Sequence, residues 1–320
     1  MKQMTFDDMP RILQDYLKNY LIITKNRSKT TVKEYYYDLR DAFQFIKRDK
    51  YNIKVENFKE INIDGTQNII NLCKRFKKRL YHISTISVSG MENPKSKSSE
   101  ICFSEKNFFI NQDLNNVYVY TKFEAEKLVL SEINNGLDAC ILRLGNIVNR
   151  YSDGKFQINF SENAFINRIK AIINLKVIPK ELLEHQLEFS PVDAVADAIR
   201  IITCTKNNFS VFHVYNPNFL KISTLVEYIN KLGFDLKIVS DSAFSQQITK
   251  FLNNNNKKQK ISGLIQYLNK NKELELEFKT IPTEEFSLQF LKKQNYTWPD
   301  INYEYINLFV TFFNDIDYFK

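Results

Sequence analysis

Glycine, proline, histidine and cysteine are all scarce in this chain. Its 320 residues hold 7 Gly, 7 Pro, 3 His and 4 Cys. So little Gly and Pro excludes collagen-like and Pro/Gly-rich disordered architectures. The histidines, at 82, 185 and 213, are scattered, which argues against a His-based metal site, and no metal is expected. Cys73, Cys102, Cys140 and Cys204 fit neither a zinc spacing nor a CxxC redox pair. Reduced thiols in a cytoplasmic protein are the expectation. No run of about 18 apolar residues occurs, and the opening MKQMTFDDMP has no apolar stretch of signal-peptide kind. Neither membrane spanning nor secretion is therefore supported.

What the chain does have is apolar mass and rings. Hydrophobic residues make up 43% and aromatics 14%, chiefly 26 Phe and 17 Tyr. That is enough for one large domain or two modest ones with ring-rich cores. The net charge of +8 permits a nucleic-acid or acidic protein partner without demanding either. The densest basic cluster, Lys74, Arg75, Lys77, Lys78 and Arg79, reads as the wet end of a helix.

Three stretches follow one another. Residues 1–52 read as helical. Asp8 caps a helix with Pro10 in its first turn, and Ile12, Leu13, Tyr16, Leu17 and Tyr20 recur at helical spacing. A second helix carries Val32, Tyr36, Leu39, Phe43 and Ile46 on one face. Residues 53–214 then alternate helix and strand. Strands are predicted at Arg79–Val88, Ala139–Leu144, Leu187–Ser190 and Val211–Tyr215, with helices at Asn62–Arg75, Val119–Asn134 and Pro191–Thr203. Such alternation implies parallel βαβ units. Residues 215–320 are mixed, with an Asn/Lys-rich loop at Asn253–Lys260.

The chemistry sits in the middle stretch. Thr85 lies in a hydroxyl-rich strand end running from His82 to Gly90. Tyr118 and Lys122 open a helix and, at i and i+4, share one face. Arg143, Gly145 and Asn146 follow another strand. Reducing a carbonyl leaves an alkoxide that needs a proton. A phenol near pKa 10 is a poor donor and base at neutral pH. A neighbouring ammonium favours the phenolate and brings the pKa down. The Thr85 hydroxyl can hold the substrate oxygen as charge develops. A lone Tyr-x-x-x-Lys is weak, and a hydroxyl-rich strand end is often only a turn. The order and spacing of the three pieces together are the specific signal.

On those motifs residues 53–320 resemble extended short-chain dehydrogenases, and more closely the terminal thioester reductase domains of nonribosomal peptide synthetases. Asn62–Thr66, His82–Gly90, Tyr118–Lys122 with Glu126, Arg143–Ile147, Asp153–Gln157, Phe189–Asp193 with Ala196, and Phe290–Trp298 with Tyr303 carry the likeness. The resemblance implies an α/β fold: a truncated Rossmann-like parallel sheet over 53–214 with a small C-terminal substrate subdomain over 215–320. It implies Thr85, Tyr118 and Lys122 as catalytic residues. Arg143, Gly145 and Asn146 would lie beside the nicotinamide end of NADPH, and Phe189–Asp193 would shape the substrate side. The implied partner is a carrier-protein phosphopantetheine thioester, reduced to aldehyde or alcohol. The departure is the cofactor loop. Such reductases hold the pyrophosphate on a Gly-rich turn, whereas this chain has no glycine before Gly65. The isolated chain is therefore expected to be inactive.

Residues 4–50 resemble another family. Asp8-Met9-Pro10, Leu17, Ser28, Thr31-Val32, Tyr35, Asp38-Leu39-Arg40 and Phe43 are similar to the start of a tyrosine recombinase. That likeness implies DNA as a possible partner through residues 1–50, and it supplies the alternative function: a DNA-binding module.

Overall fold

The structure, a computed structural model, describes residues 58–90, 102–114, 116–157, 160–265, 268, 281–283 and 285–319. The two helices expected within residues 1–50 lie outside the described residues. The chain divides into two compact units, residues 1–65 and 66–320. The second holds the sheet and the helices that cover it.

At the centre is a three-stranded parallel sheet of β1 (Leu80–Thr85), β2 (Ala139–Leu144) and β3 (Val211–Val214), in that order. β2 is the middle strand, and its first five residues are buried. The apolar run Ala139–Leu142 marks a strand covered on both faces, and Arg143 continues the burial. The register places Ser84 beside Arg143 and Arg143 beside His213. Thr85 pairs with Leu144, the residue before Gly145. β1 stops at Thr85, short of the expected Val88. The Thr85 hydroxyl accepts the Ser87 N–H at 3.1 Å and turns the chain into a 3-10 helix over Ile86–Ser89.

Helix α1 (Gly65–Phe76) precedes the sheet, α2 (Val117–Asn134) links β1 to β2, and α3 (Ala164–Leu175) and α4 (Val192–Cys204) lie between β2 and β3. Beyond β3 come α5 (Ile222–Lys231), α6 (Asp241–Leu252), α7 (Glu285–Lys293) and α8 (Tyr303–Asp315). α2 begins two residues earlier than its hydrophobic pattern suggests. Asn116 caps it, its side chain accepting the N–H groups of Tyr118 and Val119 at 3.0 and 3.2 Å. The expected strand Leu187–Ser190 is two separate bridges. Gln186–Leu187 pairs antiparallel with Leu220–Lys221, and Ser190–Pro191 pairs parallel with Ile147–Val148. The expected loop at Asn253–Lys260 contains a short helix, Asn255–Lys260.

Among the described residues, three of the buried clusters support this frame. Ile70 and Cys73 of α1 and Val129 of α2 pack with Leu80, Ala139, Ile141 and Val211. Val195, Ala198 and Ile202 of α4 pack with Cys140, Leu142, Phe212, Leu291 and Trp298. The largest cluster joins Val148, Phe165, Ile169 and Phe189 to Leu225, Ile229, Tyr305, Phe309 and Phe313, so it draws on residues before and after 214. Phe309 is fully buried within it and meets the rings of Phe189 and Phe313 at 5.8 and 5.3 Å. Phe309→Ala should cost about 3–5 kcal/mol through lost transfer energy plus the cavity left behind. Denaturant unfolding should show a lower midpoint at unchanged slope, and a loss below about 1 kcal/mol would show that the site collapses around the gap.

Candidate active site

Thr85 and Tyr118 meet at the C-terminal end of the parallel sheet, the edge where open α/β sheets bind ligands. The Thr85 hydroxyl lies close enough to the Tyr118 phenol to lower its pKa. The Asn116 cap fixes Tyr118 in the first turn of α2, where the residue as a whole is 40% exposed while its hydroxyl end is crowded by neighbours. One turn on, the Lys122 ammonium donates to the Ile83 carbonyl of β1 at 3.3 Å. All three expected catalytic residues thus gather around the last turn of β1.

The electrostatics differ from the expectation of a phenol acidified by lysine. Burial raises the Tyr118 pKa above its usual value, and the Thr85 hydroxyl opposes this. Burial lowers the Lys122 pKa, with Glu126 opposing. A phenol kept protonated is suited to giving a proton rather than taking one. Beside Lys122 sits His82, whose pKa falls to about 4 through burial and then through the Lys122 charge. Its Nε2 has no hydrogen-bond partner among the described residues.

Gly145 and Asn146 form the turn that leaves β2. A Cβ at Gly145 would come within 2.6 Å of both the Glu188 carboxylate and Tyr215 Cβ, so the close approach requires glycine. Glu188 Oε2 accepts the Asn146 N–H at 2.5 Å, and Glu188 Oε1 accepts the Ser190 hydroxyl. Ser190 Oγ in turn accepts the Asn216 N–H at 2.9 Å. Glu188 therefore ties the β2 turn to the β3 turn. Sequence reading passed over it, since its role exists only once those turns are adjacent.

Arg143 stands apart from this exposed group. It was expected beside a nicotinamide, yet it has no exposed surface. Its Nε and Nη2 donate to the Glu126 carboxylate at 2.8–3.1 Å, and Nη1 donates to the Asn107 carbonyl at 3.0 Å. Its Cζ lies 4.7 Å from the centre of the Phe103 ring. Nη1 also reaches His213 Nε2 at 3.2 Å. His213 Nδ1 is 2.8 Å from the Thr283 carbonyl, an acceptor, so Nδ1 carries the proton and Nε2 offers its lone pair to Arg143. Burial, then the Arg143 charge, drives the His213 pKa down to about 3. Of the expected substrate-side segment, Phe189 is core, while Asp193 accepts the Tyr151 and Ser152 N–H groups at 2.8 and 3.1 Å.

The sheet, the crossover helices and the hydroxyl–Tyr–Lys group at the strand ends define an α/β fold of the extended short-chain dehydrogenase kind. The comparisons with known proteins agree. The family described as "Male sterility protein" matches residues 50–199. A linear gramicidin synthase of Brevibacillus parabrevis is 28% identical over 186 residues, 57% of this chain and 4% of that protein. A solved thiolation-reductase di-domain from an archaeal non-ribosomal peptide synthetase superposes with a TM-score of 0.70 at 28% identity, covering 85% of this chain and 56% of that one. The aureusimine biosynthetic cluster reductase domain also gives a TM-score of 0.70, at 25% identity over 81% of this chain and 66% of that one. The reductase resemblance of residues 53–320 therefore stands, and this chain spans a little over half of the di-domain. None of these relatives is a recombinase, and that likeness falls on residues outside those described.

The two perturbed histidines set an acid limit. Their pKa values are about 4 and about 3 when folded, against about 6.5 unfolded. As pH falls below 6.5 the unfolded chain takes up protons first. The stability is thus present above that pH and lost on acidification, by up to about 1.4 kcal/mol per pH unit per histidine. His82→Phe should flatten the fall in unfolding free energy between pH 6.5 and 4 by one proton's worth. A slope unchanged from the parent would show that His82 ionises freely in the folded chain.

Proposed function

We propose that this chain carries the substrate-side and proton-donating part of a thioester reductase, with a carrier-bound phosphopantetheine thioester as substrate and the cytoplasm as its compartment. In this reading residues 53–214 are the reductase core and residues 215–320 complete the substrate side. The observation that carries it is the gathering of Thr85, Tyr118 and Lys122 at the sheet's C-terminal edge, with Lys122 one helical turn from Tyr118 and donating to the Ile83 carbonyl of β1 at 3.3 Å. Thr85 and Tyr118 together receive the thioester carbonyl oxygen, and Tyr118 delivers its hydroxyl proton as that oxygen gains charge. Lys122, facing the same edge, would orient a ribose hydroxyl of the cofactor. Free thiols at all four cysteines suit a reducing compartment. The archaeal relative that joins a thiolation domain to a reductase supports the carrier.

A nicotinamide cofactor supplies the hydride in such enzymes. Thr85, Tyr118, Lys122 and the Gly145–Asn146 turn fit its nicotinamide-ribose end. The phosphate end has no counterpart: no glycine precedes Gly65, and the described residues offer no Gly-rich turn opening a helix. Anchoring at that remote end supports the chemical step as well as affinity. The isolated chain should accordingly bind NADPH poorly and turn over an acyl-pantetheine thioester at no useful rate. Titration of NADPH fluorescence and a thioester turnover assay, each run beside Tyr118→Phe, test this. Micromolar binding with Tyr118-dependent turnover would refute the claim of inactivity and establish the reductase chemistry outright.

A further inference from the structure

The positive surplus of this chain is concentrated. Residues 163–180 hold Arg168, Lys170, Lys176 and Lys180 and no Asp or Glu, and residues 242–265 hold Lys250, Lys257, Lys258 and Lys260 and again no acid. Taking these eight from the 45 basic residues leaves 37, equal to the 37 acidic ones, so the two segments account for the whole net charge of +8. They are separated in sequence yet packed together. Ala171 and Leu175 of α3 share a buried cluster with Phe244, Ile248 and Phe251 of α6 and with Ile261 and Leu264. Gly263 sits so close to α3 that a Cβ there would meet the Asn167 carbonyl oxygen at 2.3 Å.

Like charges are held together on this face. Lys170 Nζ lies 3.7 Å from the centre of the Tyr318 ring, and the Tyr318 hydroxyl donates to Asn167 Oδ1 at 2.5 Å. Burial and then the charge of Lys260 lower the Lys170 pKa, which places the two ammonium groups within repulsion range. Lys250, Lys257, Lys258 and Lys260 are exposed. Among the described residues no ion pair engages these four or Lys170. The other dense basic cluster is different: Lys74 pairs with Glu132 at 2.6 Å and Arg79 with Asp138 at 3.3 Å. The face also points back to the candidate site. Asn163, which caps α3, donates to the Ile147 carbonyl at 3.2 Å in the segment that follows the Gly145–Asn146 turn. Lys170 lies seven residues on, roughly 10 Å along the helix axis.

We propose that the α3–α6 face is the docking surface for an acidic helical carrier domain, placed so that its phosphopantetheinyl arm reaches the Gly145 end of the sheet. The inference rests on the thioester reading above. A substrate tethered to a second domain must be presented transiently, and a face with a surplus of lysines, its acids Asp241 and Glu181 set against each other at the start of α6, steers such an encounter without demanding tight affinity. The exposed cations are lysines, point charges suited to a row of carboxylates, and lack the rigid guanidinium fork that favours bidentate phosphate contacts in nucleic acid.

The test uses the full chain and a purified, acidic holo-peptidyl carrier domain as the probe, with binding read by fluorescence anisotropy at low salt. The triple reversal Lys257→Glu, Lys258→Glu, Lys260→Glu should weaken binding by about tenfold or more. The reversal Lys77→Glu, Lys78→Glu in the other cluster should leave it unchanged. Because the three lysines are exposed, the melting temperature should hold, so the loss cannot be assigned to unfolding. Equal binding by the triple variant would overturn the docking face while leaving the thioester reading in place, because the parent chain would still bind the carrier. Absence of carrier binding by the parent chain would overturn it too, as would tighter binding of duplex DNA that the same reversal abolishes.

Discussion

The buried pair of Arg143 and Glu126 is the constraint around which the described structure is arranged. Both side chains are fully enclosed, and an ion that loses water must recover the cost through geometry and further hydrogen bonds. Here the guanidinium meets the middle strand's helix partner through Glu126, the 102–114 segment through the Asn107 carbonyl and the Phe103 ring, and β3 through His213. His213 extends the contact to the Thr283 carbonyl, and its own N–H donates to Ser287 Oγ at 2.9 Å. Segments far apart in sequence are thereby tied to one point. Removing either ion alone would leave an uncompensated buried charge, a loss of about 3–5 kcal/mol.

The same pair sets the candidate site. Tyr118, Lys122 and Glu126 recur at four-residue intervals, so they share one face of α2. Anchoring Glu126 against the sheet fixes the rotation and height of that face over β1. Lys122 then falls on the Ile83 carbonyl and Tyr118 on the Thr85 hydroxyl. The buried end of the stripe is structural and the exposed end carries the candidate site. One helix thus makes a rigid sheet position an otherwise mobile phenol.

Much of this was legible in the sequence, for physical reasons that differ by element. β2 was read to the residue, because a strand buried on both faces opens with an apolar run, Ala139–Leu142, and stops short of Gly145. The hydroxyl, Tyr and Lys were legible as a set because their order follows strand and helix ends. The end of β1 was read too far, since Thr85 diverts the backbone with its own side chain. Leu187–Ser190 looks like one strand, but Phe189 packs in the large core while Glu188 turns to Asn146, and the pairing lapses across these two residues. Arg143 was the least legible. Its position after an apolar run suits a ligand contact or a core ion pair equally, and only Glu126, brought in by the tertiary fold, decides.

The alignment of Ser84, Arg143 and His213 across the three strands has a further consequence. Parallel strands made of apolar residues pair almost as well one step out of place, because a slipped Ile or Leu still finds an apolar neighbour. A charged residue in the middle strand does not. Sliding β2 by one position would turn the guanidinium to the opposite face of the sheet and away from Glu126. The polar row therefore works as a key cut into a greasy lock: it admits one alignment of the strands and so fixes which backbone turns, those at Thr85 and Gly145, end side by side at the working edge.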